Sequence, residues 1–284
     1  MPDPAEPVRR AQNPAQPRVS GLLLGAFGIY TRRYLRRHFH SIRLSTSGWL
    51  PDNENGIPKV IFLNHASWWD PLVCLHLQRQ MFARHTGYAP IDAKAVEKYA
   101  FFKRLGFFGV ETDSPRGAAR FFRIASHVLA QPWNVLWVTP QGRFADVRER
   151  PIQFKHGLGL LAARLGRIGS VAALASPRIQ FVPLAIEYPY WHERLPEILL
   201  RFGQPLDVQT TTPKPLSPAE WSTLLEERLA SNMDSLAEES LSRRPDAFMP
   251  LLQGSAGVGA VYDFWRRARA VVSGTQFDPH HGRL

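Results

Sequence analysis

The sequence is poor in cysteine, in long apolar runs and in acidic residues relative to basic ones, and each shortage removes a class of protein. Cys74 is the single cysteine among 284 residues, which excludes an intramolecular disulfide and any site of paired thiolates and suits a reducing cytoplasm. No stretch reaches the roughly 18 uninterrupted apolar residues that a spanning helix needs. The nearest, VSGLLLGAFGIY at 19–30, stops short. It also makes a poor secretory signal, because its charges follow the apolar stretch and no small-residue cleavage site is evident. No internal period marks a solenoid. With 24 Asp and Glu against 35 Lys and Arg, the net charge is +11, so the surface attracts something anionic: phospholipid headgroups, a phosphorylated substrate, an acidic carrier or nucleic acid. Nucleic acid ranks last, since no recognisable binding module accompanies the charge.

What is present suffices for one large domain. Hydrophobic residues make up 44% of the chain, enough to bury a full core at this length. Residues 1–18, rich in Pro, Ala and Gln, read as a flexible tail. Residues 19–48 join the short apolar stretch to TRRYLRRHFH, where Arg32, Arg33, Arg36 and Arg37 recur beside Tyr34, Leu35 and Phe39 at helical spacing. That pattern suits a helix lying in a membrane interface with arginines against anionic headgroups; the alternative is a surface helix packed on the domain with solvated arginines. From 49 to 212 strands and helices alternate: KVIFLN as a strand, PLVCLHLQRQ as a helix, and FFKRLGFFGVETD as a helix end, turn and short strand. There follow RGAARFFRIASHVLAQ as a helix facing inward through Ala119, Phe122, Ile124, Ala125 and Val128, NVLWVTPQG as a strand and turn, HGLGLLAARLG as a helix and IQFVPLAIEYP as a strand. Such alternation predicts an α/β fold, a layered domain with a largely parallel central sheet flanked by helices. Sites in such sheets gather at the carboxyl ends of strands. From 213 to 284 a helical extension is expected, opening on PKPLSPAEW and closing with Trp265, Arg266, Arg267 and Arg269, which repeat the basic-aromatic pattern of the N-terminal part.

The unusual residues fall where KVIFLN ends, in NHASWWD. On one straight helix His65 and Asp70, five steps apart, would point in different directions. Asp-Pro resolves this: aspartate is a favoured N-cap and proline a favoured first helical residue, so the helix is expected from Pro71 and His65 lies in the turn before it. Asp70 can then fold back, accept the Nδ1 proton of His65 and leave Nε2 as a general base. No serine or cysteine nucleophile accompanies the pair, so the substrate's own hydroxyl would attack. The bland alternative is a helix cap beside a satisfied polar histidine. Trp68 and Trp69, between the two, either line a substrate groove or pack in the core.

Four blocks in order, NHASWWD, GFFGVETDSPRG, TPQGRF and FVPLAIE, make the chain resemble the glycerolipid acyltransferases, the superfamily of lysophosphatidic acid and glycerol-3-phosphate acyltransferases. The resemblance implies transfer of a fatty acyl group from an acyl-coenzyme A or acyl-carrier-protein thioester to a lipid hydroxyl, with His65 as base and Asp70 orienting it. It implies no metal and no bound cofactor. The acceptor it suggests is a lysophospholipid such as 1-acylglycerol-3-phosphate, held by Asn64, Arg116, Gln141, Gly142, Arg143 and Lys155 at an anionic membrane, peripherally on its cytoplasmic face. The family places an acid where Gln141 stands, and its arginines sit one place later than Arg143 and directly after Asp113 rather than at Arg116. These departures leave a glycosylated lipid as an alternative acceptor, and a non-catalytic membrane-associated protein as an alternative role. Gln141 can still hydrogen-bond a hydroxyl, and arginines suit phosphate.

Overall fold

The structure is a computed structural model that describes residues 16–49, 51, 56–111, 114–171, 178–208 and 215–254. The expected N-terminal tail, apart from its last three residues, and the basic-aromatic segment around Trp265 lie outside them.

Pentapeptides that are apolar after their first residue, with every residue buried, build the middle of the sheet. Strands β2 (Lys59–Leu63) and β5 (Asn134–Val138) are buried throughout, and β6 (Gln180–Glu187) nearly so, the continuous apolar pattern expected when helices cover both faces. The other strands are β1 (Ser41–Ser45), β3 (Thr86–Asp92), β4 (Phe107–Val110), β7 (Glu197–Phe202), β8 (Leu206–Asp207) and β9 (Phe248–Gln253). The order is β4-β3-β5-β2-β6-β7-β1-β9, with β8 on β6. Pairing is parallel from β4 to β6 and between β7 and β1, and antiparallel at β6–β7, β1–β9 and β6–β8. The α/β fold with a largely parallel sheet therefore holds.

Alternation along β2 divides the core. Val60 and Phe62 face one layer with helices α4 (Pro115–Leu129), α5 (Gly157–Val171) and α6 (Pro218–Ser242). Ile61 and Leu63 face the other, with α1 (Gly21–His38) and α2 (Asp70–Met81). A short helix α3 (Ala93–Lys98) and a 3₁₀ turn over 100–105 link β3 to β4.

Helix starts follow capping chemistry. Ser114 accepts from the Gly117 amide with Pro115 as first residue, and Ser217 with Glu220 forms a capping box on α6, both standard ways to satisfy open amides. In α4 the buried stripe runs through Phe121, Ile124, Ala125 and Val128, while Ala119 is exposed, so the inward face is centred on Phe121 rather than Phe122. The boundaries expected at 48 and 212 cut across the sheet in sequence: β1 lies before the first, β9 after the second, and the two strands pair. Among the described residues no helix is long and apolar enough to cross a membrane.

Candidate active site

The link from β2 to α2 carries the site. The ladder between β2 and β6 ends at Leu63 and Leu184, and the next side chain continues it. Asn64 Nδ2 donates to the Ile186 carbonyl at 3.0 Å and Asn64 Oδ1 accepts from the Ile186 amide at 2.9 Å. Asn64 is thus spent on the backbone of β6, which fixes where the following turn leaves the sheet, and it does not line the cavity below.

His65 follows at that fixed point. Its amide donates to Gln141 Oε1 at 2.8 Å and its carbonyl accepts from the Ala145 amide at 2.9 Å, so the turn after β5 holds the turn after β2. Gln141 is buried, with its carbonyl oxygen engaged by His65; the position where an acceptor group was expected instead supports the histidine backbone. Gly142 turns the chain at φ +64°, and a Cβ there would approach Lys155 Cγ to 3.0 Å, a conformation that L side chains rarely adopt.

The imidazole Nδ1 lies 2.7 Å from Asp70 Oδ2. Asp70 is 1% exposed and His65 18%, so the carboxylate is shielded while the ring reaches open space. Helix α2 begins at Asp70, one residue before the expected Pro71, and Asp70 is not its N-cap: no side-chain cap bond forms at Trp69, the residue in that position. The carboxylate is turned back over the link, where Oδ2 also accepts from the Ser67 amide at 3.1 Å, so it is unavailable to amides further along the helix. Tyr188, just beyond β6, donates its hydroxyl to Asp70 Oδ1 at 2.5 Å. Burial, reinforced by the Asp70 charge, pushes that phenol well above its ordinary range, so it stays a donor. Cys74, one turn along α2, is held protonated by the same two causes.

Among the described residues no hydrogen-bond partner is found for His65 Nε2. The ring lies against Phe144, centroids 4.3 Å apart, and lines a cavity of about 720 Å³. That space runs over the carboxyl ends of β2, β3 and β5 between α2 and α4, walled mainly by apolar groups such as Leu63, Leu75, Phe107, Phe121 and Trp137. Its volume falls in the range that takes a drug-sized or larger apolar ligand.

The basic residues divide. Lys155 and Arg143 line the cavity. Arg143 is already engaged through both terminal nitrogens by Glu149, whose carboxyl is held below its usual range by that hydrogen bond. Arg116 is exposed on the first turn of α4 and does not line the cavity. Trp69 packs on Phe39 and Tyr34 of the other layer, with Trp68 stacked on it, more than half exposed; neither lines the cavity. Among the described residues no group of three His, Cys, Asp or Glu side chains is placed to hold a metal ion.

Tyr188 and Phe144 were not singled out by the sequence. Phe144 closes TPQGRF and Tyr188 directly follows FVPLAIE, but only the adjacency of β2 to β5 and β6 brings Phe144 to His65 and Tyr188 to Asp70.

No protein-family model matches the sequence, and no curated protein matches it. Among solved structures, the crystal structure of the 1-acyl-sn-glycerophosphate (LPA) acyltransferase PlsC from Thermotoga maritima resembles this chain at a TM-score of 0.48 and 15% identity, covering 78% of this chain and 80% of that one.

Proposed function

We propose that the protein transfers a fatty acyl group from an acyl thioester, carried by coenzyme A or an acyl-carrier protein, to a lipid hydroxyl. The observation that carries the reading is the buried Asp70 holding His65 Nδ1 at 2.7 Å while the ring opens on a large apolar cavity. The acceptor hydroxyl docks at Nε2 and gives its proton to it as its oxygen attacks the thioester carbonyl. The carbonyl carbon gains the new C–O bond and loses the C–S bond, and the thiolate leaves without needing an acid of its own. Asp70 keeps the tautomer that presents a lone pair at Nε2 and stabilises the imidazolium that forms. The apolar walls receive the acyl chain. In this reading the protein sits peripherally at an anionic membrane, on its cytoplasmic face.

The acceptor is a lysophospholipid such as 1-acylglycerol-3-phosphate if Lys155 and a released Arg143 grip its phosphate. A specific observation favours the second reading, a glycosylated lipid: Arg143 is occupied by Glu149, and neither Gln141, whose carbonyl oxygen holds the His65 amide, nor Arg116 lines the cavity. Purified protein given mixed acyl thioesters and a total lipid extract, with products read by mass spectrometry, distinguishes them. A new acylated phospholipid or glycolipid that vanishes in His65→Ala names the acceptor. No product with several donors, from folded protein, favours a non-catalytic membrane role.

A further inference from the structure

Asp70 receives more than a histidine needs. Its Oδ2 takes both the His65 ring and the Ser67 amide, whereas Oδ1 takes the Tyr188 hydroxyl alone. We propose that Tyr188 is a positioning residue of the His65–Asp70 pair: by holding Oδ1 it fixes the plane of the carboxylate, so that Oδ2 stays on the imidazole. It acts through Asp70 and His65 and does not itself touch the reacting atoms. The proposal rests on the reading of His65 as general base.

The fold places the hydroxyl with little freedom. Strand β6 runs parallel to β2, and Asn64 takes both backbone groups of Ile186. Two residues further on, Tyr188 therefore stands beside the link that carries His65 and Asp70. Its ring packs on Phe39, centroids 5.8 Å apart, and Phe39 packs edge-on against Trp69 at 4.9 Å. The phenol is anchored from the far side of the residue preceding Asp70. A carboxylate with one oxygen doubly engaged and the other free can rotate about its terminal torsion, which is broad and soft; a short bond to a charged acceptor removes that freedom. Tyr188 does not line the cavity, so a direct role as acid or base toward substrate is not available to it.

Few other groups can imitate its effect on the pair. From α2, Cys74 faces the same carboxylate and keeps its proton. From α1, His38 reaches Trp69 at 5.2 Å between ring centroids. From the segment after β5, Arg143, Lys155 and His156 line the cavity, with Arg143 engaged by Glu149, and Asp92 at the end of β3 and Glu111 after β4 line it too.

Tyr188→Phe keeps the ring against Phe39 and removes only the donor. Without it, the Asp70 charge falls less divided on the imidazole, and the carboxyl itself releases its proton less readily; both make the pair hold its proton to higher pH. The expected result is a kcat lower by about tenfold, the size of one hydrogen bond to a charged group, KM within about twofold, because Tyr188 does not line the cavity and no substrate contact is lost, and an acid limb of kcat moved to higher pH. Carbon-13 labelled histidine, with His65→Ala identifying the resonance, should show the His65 titration moving the same way, and thermal unfolding should fall by several degrees at most, the loss of one buried hydrogen bond. An unshifted His65 titration with an unshifted acid limb overturns the proposal, as does activity lost only in proportion to folded protein. The two readings fail separately: if the wild-type protein transfers no acyl group, the base reading falls, and the His65 titration alone still decides whether Tyr188 positions the pair.

Discussion

At the scale of single residues, the placing of His65 in a turn before α2, with Asp70 folded back on it, was legible, and the start of α2 was legible to within one residue although Asp70 does not cap it. Which atoms are already taken was not. Asn64 and Gln141 read as substrate contacts, yet Asn64 has both polar atoms engaged by the backbone of Ile186, 122 residues away, and Gln141 its carbonyl oxygen by the amide of His65, 76 residues away, and no local pattern encodes that. Asn64→Leu should leave the Ile186 amide and carbonyl buried without partners, at about 1–3 kcal/mol each; denaturant unfolding should show a loss of about 2–6 kcal/mol by the same principle. His76 gives a second expectation. Burial, then the charge of Arg32, lowers its pKa from 6.5 to about 4. The folded state therefore disfavours the proton that the unfolded chain takes up below 6.5, so stability is fully present above that pH and falls as pH drops toward 4, by up to about 3 kcal/mol. His76→Leu should flatten that part of the stability curve relative to wild type.

At the scale of elements, the runs with uniform burial were legible and the irregular ones were not. KVIFL, NVLWV and QFVPLAIE announce themselves by β-branched and apolar content. Strand β3, TGYAPID, carries a glycine and a proline and is mostly half-buried, so its composition imitates a loop. Strand β1, SIRLS, hides behind the basic stretch of α1. The basic helix itself was expected, and it is held by Ser20 at its start and ends with Arg36, Arg37 and His38. Leu22 is 90% exposed, and Ile29, Tyr30 and the nearby Phe101 are exposed beside it, a surface suited to the proposed interfacial seat. Leu22→Asp with Ile29→Asp should lower co-sedimentation with anionic vesicles several-fold at unchanged thermal stability, following the apolar term of interfacial binding. Binding equal to wild type would remove α1 from that role.

At the scale of the molecule, the layered α/β architecture follows from the alternation of elements, but strand order does not. Nothing local says that β9 will pair with β1, or that α6 will pack through Trp221, Leu225, Leu229 and Leu236 on the core beneath β6. Ending the chain at residue 214 should uncover that surface and yield aggregated or unfolded protein, checked by circular dichroism and light scattering; a folded monomer would show that the core is complete without it. In the proposed reaction, sheet ends, turn and cavity work together to move one proton. That role is tested most directly by single-turnover acyl transfer from a thioester to lipid acceptors in vesicles, comparing wild type with His65→Ala. The variant, folded as before, is expected to be slower by about 10²–10⁴-fold, the contribution typical of a general base. Equal rates in the two proteins would contradict it.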